Sequence, residues 1–347
     1  MNRPIDHTHP RCPGARALRL AAGALTAVGV AACGSDGGGG TTAPGEAVIQ
    51  IALSGLTAPD PAREGTLEVW VLDRDGNARS AGRLASGAVA AELRSPVADP
   101  QGVEITLEPP GDADAAPSRA RLLRGAFRSG RAELSLAGAV TGGDLPLRER
   151  PGQFTMFTPS DNHLNGYPSS ESAGIWLFNM APRETEQKDM WVRLTPLREG
   201  WVYEGWMVRD IDSPGVVWLS YGKFLPDGTG AVNQRDDTGW GPFSGVVDYL
   251  RGEEEFPGDD WISNPLGLAM PGGLPLPLDL RETDAAGNGR WTHVITIEPA
   301  TDRGERLTTE RPSFLRPYRD PFGNGGPGVP RSITLRDRGP TGTATLR

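Results

Sequence analysis

Cysteine, histidine and long apolar runs are all scarce in this chain of 347 residues, and each scarcity removes a class of chemistry. The two cysteines, Cys12 and Cys33, both lie near the N-terminus, so the rest of the chain holds neither a disulfide nor a thiol nucleophile. Of the four histidines only His163 and His293 lie in the body; far apart and without cysteine, they offer no zinc-ligand spacing. No Gly-x-Ser-x-Gly elbow is present, and no glycine-rich loop opens a helix to cradle phosphate, which leaves hydrolase and nucleotide chemistry without a carrier. Runs with helical periodicity are few. The one long apolar stretch, Ala17–Ala32, is too short for a confident membrane span.

That stretch has the layout of a secretory signal: Arg11, Arg16 and Arg19 at its start, and no charge afterwards. It ends in Val30-Ala31-Ala32-Cys33, which resembles the lipobox of bacterial lipoproteins. The resemblance implies that residues 1–32 are a cleaved signal and that Cys33 is the lipidation site, the diacylated first residue of the mature protein. A plain signal peptide cut near a cysteine is the alternative. Residues 33–47, with the Gly37–Gly40 run, read as a polar flexible tether that cannot bury enough surface to fold. Gly34 rather than Asp after the cysteine implies, by the lipoprotein sorting rule, the outer membrane if the organism has two.

Removing the signal leaves 31 basic against 43 acidic residues, a formal charge of −12. Such a body repels phosphate backbones and anionic lipid surfaces, so nucleic acid is excluded as a partner and the acyl chains, not basic patches, would hold the membrane. The body reads as all-β. Apolar residues fall at every second position in Ile49-Ile51-Leu53, Leu67-Val69-Val71, Val103-Ile105-Leu107 and Ala132-Leu134-Leu136, the period of half-buried strands. Phe154 and Met156 continue it, and Asp75-Gly76-Asn77 supplies hairpin-turn residues.

The order of segments then recurs. Glu204-Gly205-Trp206-Met207-Val208 answers Glu68-Val69-Trp70-Val71-Leu72, and Ser220-Tyr221-Gly222-Lys223-Phe224 answers Ser80-Ala81-Gly82-Arg83-Leu84. Further on, Ile295-Thr296-Ile297-Glu298-Pro299 matches Ile105-Thr106-Leu107-Glu108-Pro109, with Pro312-Ser313 placed like Pro117-Ser118. Matched segments in one order predict an internal duplication: two tandem β-sandwich domains, residues 48–165 and 166–347, the second with a long loop-rich insertion at 225–290. Long loops on a rigid sandwich are where binding usually resides.

The pattern Gly65, Glu68, Trp70, Asp73, Gly76, then Ser80-Ala81-Gly82, then Thr106-Leu107-Glu108-Pro109 resembles the C-terminal, extracytoplasmic domain of anti-sigma-K factors. The resemblance covers most of the first copy and the flanks of the second. It implies a small β-sandwich beyond the membrane and a sensing or scaffolding role. In that family the sigma factor is held by a separate cytoplasmic helical domain, so direct sigma-factor binding is not expected here.

Most of the motif has a structural explanation. Trp70 and Trp206 are expected mid-strand, buried against the opposite sheet; Gly82 and Gly222 admit a close neighbour; the Glu-Pro steps end strands. His293 aligns with Val103 on an inward face and reads as a structural histidine. Asp73–Asn77 lacks the spacing of a calcium loop and reads as a turn. Glu253–Glu255 with Asp259-Asp260 is a better cation candidate, though a solvated acidic loop is the simpler reading. Eight of nine tryptophans fall in the second copy, and a groove lined by Trp240 and Trp261 would suit a sugar ring. A paired-carboxylate glycosidase drawing on Glu253–Asp260 is the weakest reading, because catalytic carboxyls need a rigid cleft. The expectation is therefore a non-enzymatic, lipid-anchored envelope protein with no catalytic, cofactor-binding or metal-binding residue to nominate, its partner an envelope protein or, alternatively, a glycan.

Overall fold

Alternating apolar residues bounded by glycine, proline and aspartate can satisfy their backbone only by pairing with other strands, and this is how the chain folds in the computed structural model. The structure describes residues 47–158, 171–178, 192–226, 258–262, 267, 269–300 and 312–347. Cys33, the leader, the tether up to residue 46, His163, Trp240 and Glu253–Glu255 lie outside them. Among the described residues there are strands and short 3-10 turns, and no helix long and apolar enough to cross a membrane.

The first half supplies β1 (Val48–Ser54), β2 (Thr66–Leu72), β3 (Ala78–Arg83), β4 (Ala90–Arg94), β5 (Gly102–Glu108), β6 (Arg121–Ala126), β7 (Arg131–Leu134) and β8 (Gly152–Met156). The second supplies β9 (Gly174–Phe178), β10 (Trp201–Arg209), β11 (Val217–Phe224), β12 (Gly258–Asp260), β13 (Trp291–Pro299), β14 (Tyr318–Pro321), β15 (Arg331–Ile333) and β16 (Thr341–Leu346). They form four antiparallel sheets, ordered β4-β1-β16-β7, β3-β2-β5-β6, β12-β9-β8-β15 and β11-β10-β13-β14. The last two repeat the order of the first two, strand for strand. Even the irregularities recur: β3 carries an extra residue, Ala81, opposite Val69/Trp70 of β2, and β11 carries one, Tyr221, opposite Gly205/Trp206 of β10. Gly82 and Gly222, which directly follow the extra residues, both have φ near +120° (127° and 120°), which only glycine adopts without strain.

The inward faces meet in one continuous apolar core. Ile49, Ile51 and Leu53 of β1 join Leu67, Val69 and Val71 of β2 and Val103, Ile105 and Leu107 of β5, and the cluster continues through Phe154, Ile175, Tyr203 and Ile297. Residues 44–347 form one compact unit. The sequence boundary at 165/166 falls between β8 and β9, which are hydrogen-bonded neighbours, and β16 closes the sheet that contains β1.

Two placements differ from the sequence reading. Trp70 and Trp206 are buried, but on the faces turned away from the main core: Trp70 shares its side of β2 with Glu68 and pairs with Glu104, and Trp206 belongs to a separate cluster with Val208 and Val294. Alternation required this, since Leu67, Val69 and Val71 already occupy the inward face. Within the insertion, Gly258–Asp260 is strand β12, paired to β9, so Asp259-Asp260 is on a sheet edge rather than in a loop.

Candidate functional site

The recurrent letters Trp, Thr-x-Glu-Pro and Pro-Ser are the members of one buried hydrogen-bond chain. On β2, Trp70 Nε1 donates to Thr106 Oγ1 of the neighbouring β5 at 2.8 Å. Thr106 in turn donates to the Glu108 carboxylate two residues along the same face, and the Ser118 backbone N–H donates to both oxygens of that carboxylate at 3.1 and 3.2 Å. Ser118 Oγ closes the chain by donating to Leu107 O at 2.8 Å. The second half repeats every link. Trp206 Nε1 donates to Thr296 Oγ1 at 2.9 Å, Thr296 to Glu298, Ser313 N–H to both Glu298 oxygens at 2.9 and 3.1 Å, and Ser313 Oγ to Ile297 O at 2.6 Å. Proline ends each strand where the carboxylate must turn back to meet the serine.

A second element is shared. Ser80 Oγ donates to Glu68, and Ser220 Oγ to Glu204 at 2.7 Å; Gly82 and Gly222 donate their N–H groups back to those serines at 3.2 and 3.1 Å. Glu68 also accepts from Arg83 at 3.0 Å, and Arg83 reaches Asp112 at 3.0 Å. Charge-assisted donors of this kind compensate a glutamate for lost contact with water.

The halves diverge at a buried spot on β10. Where β2 has Val69, β10 has Gly205, and a Cβ there would stand 1.7 Å from Tyr221 Cζ: the ring occupies the vacated space. Tyr221 Oη lies 2.8 Å from His293 Nε2, and Phe154 of β8 packs on the His293 ring at 4.5 Å between centroids. His293 is buried, and that burial lowers its pKa to about 3, so it is neutral at physiological pH. Its inward placement matches the sequence reading. Beside β10 and β13, Arg290 binds Asp210 through two nitrogens and also meets Glu282, while Arg209 binds Glu282 at 2.6 and 2.7 Å. The paired guanidinium groups hold both carboxyls below their usual range, and the charges balance.

Other candidates resolve as structure. Asp73 Oδ1 accepts the N–H groups of Asp75 and Asn77, both at 2.9 Å, which is an Asx turn; Asp284 makes the same bonds to Ala286 and Asn288. Trp261 is wholly buried and presents no ring to a sugar, while Trp240, its expected partner in a groove, lies outside the described residues. Phe157 and Trp176 form an edge-on pair at 5.3 Å at the rim of the β8–β9 pairing, Phe157 being exposed. A cavity of about 20 Å³ between Leu56, Leu67 and Leu84 has room for roughly one water. Among the described residues no group of three or more His, Cys, Asp or Glu could hold a metal ion.

Sequence reasoning found the letters of the chain but not its bonds. It missed one further repeat: Leu147-Arg148-Glu149-Arg150-Pro151 before β8 and Leu335-Arg336-Asp337-Arg338-Gly339-Pro340 before β16. The spacing slips after the second arginine, which hides the match from a letter-by-letter reading.

Four antiparallel sheets, with repeated interior polar locks, define an all-β scaffold. Residues 11–120 match the family described as anti-sigma-K factor rskA, C-terminal. That domain is the extracytoplasmic part of anti-sigma-K factors, and the match runs through the first lock. Neither the curated proteins nor the solved structures give a match.

Proposed function

We propose that this is an exported, lipid-anchored protein of the cell envelope, held by Cys33, whose body arose by tandem duplication of an anti-sigma-K-type extracytoplasmic domain and acts by binding or sensing rather than by catalysis. The observation that carries the reading is the lock built twice, Trp70–Thr106–Glu108–Ser118 and Trp206–Thr296–Glu298–Ser313, because unrelated sandwiches have no reason to share every bond. The match of residues 11–120 supports the extracytoplasmic address. Polar side chains that would otherwise suggest chemistry are spent on structure: the lock carboxylates, His293 and the Arg209–Asp210–Glu282–Arg290 cluster all have partners within the fold.

Fractionation of the Cys33→Ala variant tests the anchor: it is expected in the soluble fraction, and membrane retention after detergent-free washing would refute lipidation. A pull-down from native envelope with the soluble body from Val48 onward tests the activity. A retained protein supports sensing, whereas a retained glycan would favour sugar binding at aromatic residues other than Trp261.

A further inference from the structure

We propose that the gap between β1 and β7 is a strand-receiving site, filled by the last strand of the chain, and that the two halves exchange their eighth strands: β8 completes the second sandwich and β16 the first. The inference rests on reading the halves as two copies, and the registers carry it. In the first sheet Ile49, Gln50, Ile51 and Ala52 pair with Leu346, Thr345, Ala344 and Thr343; in the third, Ile175, Trp176, Leu177 and Phe178 pair with Met156, Thr155, Phe154 and Gln153. The other side agrees: Leu134 and Glu133 face Gly342 and Thr343, as Ile333 and Ser332 face Gly152 and Gln153. So Gly152-Gln153-Phe154-Thr155-Met156 and Gly342-Thr343-Ala344-Thr345-Leu346 hold the same place in opposite halves, although each follows the seventh strand of its own.

The segments leading into them meet on the way: Leu335 N–H donates to Glu149 O at 2.9 Å, and Arg338 pairs with Glu149. Connection length does not force the exchange. Antiparallel neighbours can be joined by a tight turn, and either connection is longer than that.

Side-chain size assigns each strand to its site. Phe154 is fully buried against His293 and Phe322, where the matching residue of β16 is the small Ala344; Met156 is fully buried, where its counterpart Leu346 is only half-buried. At Gly342 a Cβ would stand 2.7 Å from both Ala52 O and Leu53 Cδ2, so the first site demands glycine there. Its ligand is an extended peptide of the pattern Gly-x-Ala-x-Leu, bonded along both edges; the second site takes Gly-x-Phe-x-Met. The terminal Arg347 exchanges two backbone hydrogen bonds with Val48, at 2.9 and 3.1 Å, which brings the end of the chain beside the start of its first strand.

Cysteine pairs in the full chain, with Cys12 and Cys33 replaced by serine, test the exchange. Ala52→Cys with Thr343→Cys is expected to form a bridge within one chain, and Ala52→Cys with Gln153→Cys to form none. Bridging of the Gln153→Cys pair would overturn the exchange while leaving the duplication untouched, and a Thr343→Cys bridge found only between chains would overturn closure in cis. A chain ending at Arg338 gives a second readout. Its β1 and β7 amides are expected to lose hydrogen-exchange protection while β10 and β13 keep theirs, and a peptide of residues 340–347 to restore it; the same peptide with Gly342→Val is expected not to. Unchanged protection in β1 and β7, or no restoration by the native peptide while β10 and β13 stay protected, would refute the site.

Discussion

At the scale of single residues, the lock threonines decide the most, because each serves as acceptor and donor while fully buried. Thr106→Val leaves the Trp70 indole N–H unpaired and removes a donor from the Glu108 carboxylate, so it is expected to cost about 1–3 kcal/mol, and Thr296→Val to cost a similar amount; denaturant midpoints at constant slope check both. His293 gives the chain a pH dependence. Its folded-state pKa, about 3, lies below the ordinary 6.5, so the unfolded chain binds the extra proton in between. Stability is full above about pH 6.5 and is lost on acidification through that window, by at most about 1.4 kcal/mol per pH unit. Comparing urea unfolding of the wild type and His293→Phe at pH 7 and pH 5 isolates this effect from the carboxylates, and an equal loss in both proteins would exclude His293 as its source. The motif residues were legible as letters, and the inward position of His293 followed from its alignment with Val103. The bonds were not legible, since a threonine between a tryptophan and a glutamate is joined to them by strand register, which letters do not show.

At the scale of elements, alternation identified β1, β2, β5, β7 and β8 because a strand with one buried face must repeat every second residue. It also dictated which side Trp70 occupies, a step that attention to tryptophan as a core residue obscured. Bulges escape such reading. Those in β3 and β11 are visible only as pairing shifts, and their consequence differs: the second half replaces the Val69 side chain with space at Gly205 and fills it with the ring of the extra residue, Tyr221. Gly205→Ala is therefore expected to destabilise by at least about 1–3 kcal/mol through overpacking, although its backbone conformation is open to alanine. Combining it with Tyr221→Leu should cost less than the sum of the two single changes, because the clash partner is gone; strict additivity would mean that the ring does not set the cost. The strand β12 was read as loop because three residues carry too little pattern to register a period, and its pairing with β9 is what makes it a strand.

For the whole molecule, the recurring order of strands followed from the order of matched segments, but the partner of each strand did not. β1 and β16 lie at opposite ends of the body, and nothing local in Thr-Gly-Thr-Ala-Thr-Leu announces a central strand; its small residues look like an unstructured tail until Ile51 and Ala132 are seen to flank Ala344. This arrangement has a thermodynamic consequence. The inward residues of both halves belong to one continuous apolar cluster, from Ile49 to Ala344, and the strands β8 and β16 tie the halves together. Opening either sandwich then exposes apolar surface belonging to the other, so partial unfolding brings little entropic gain for the area it exposes. Calorimetric unfolding of residues 44–347 is expected to show one transition whose calorimetric and van't Hoff enthalpies agree, despite a length at which separate domains are common. Two resolved transitions, or a van't Hoff enthalpy near half the calorimetric value, would mean that the sandwiches melt independently and that the shared core couples them too weakly to matter. Bridging Ala52→Cys to Thr343→Cys should raise the single transition by closing a loop that spans nearly the whole body. A rise confined to a part of the heat absorption would point to independent melting.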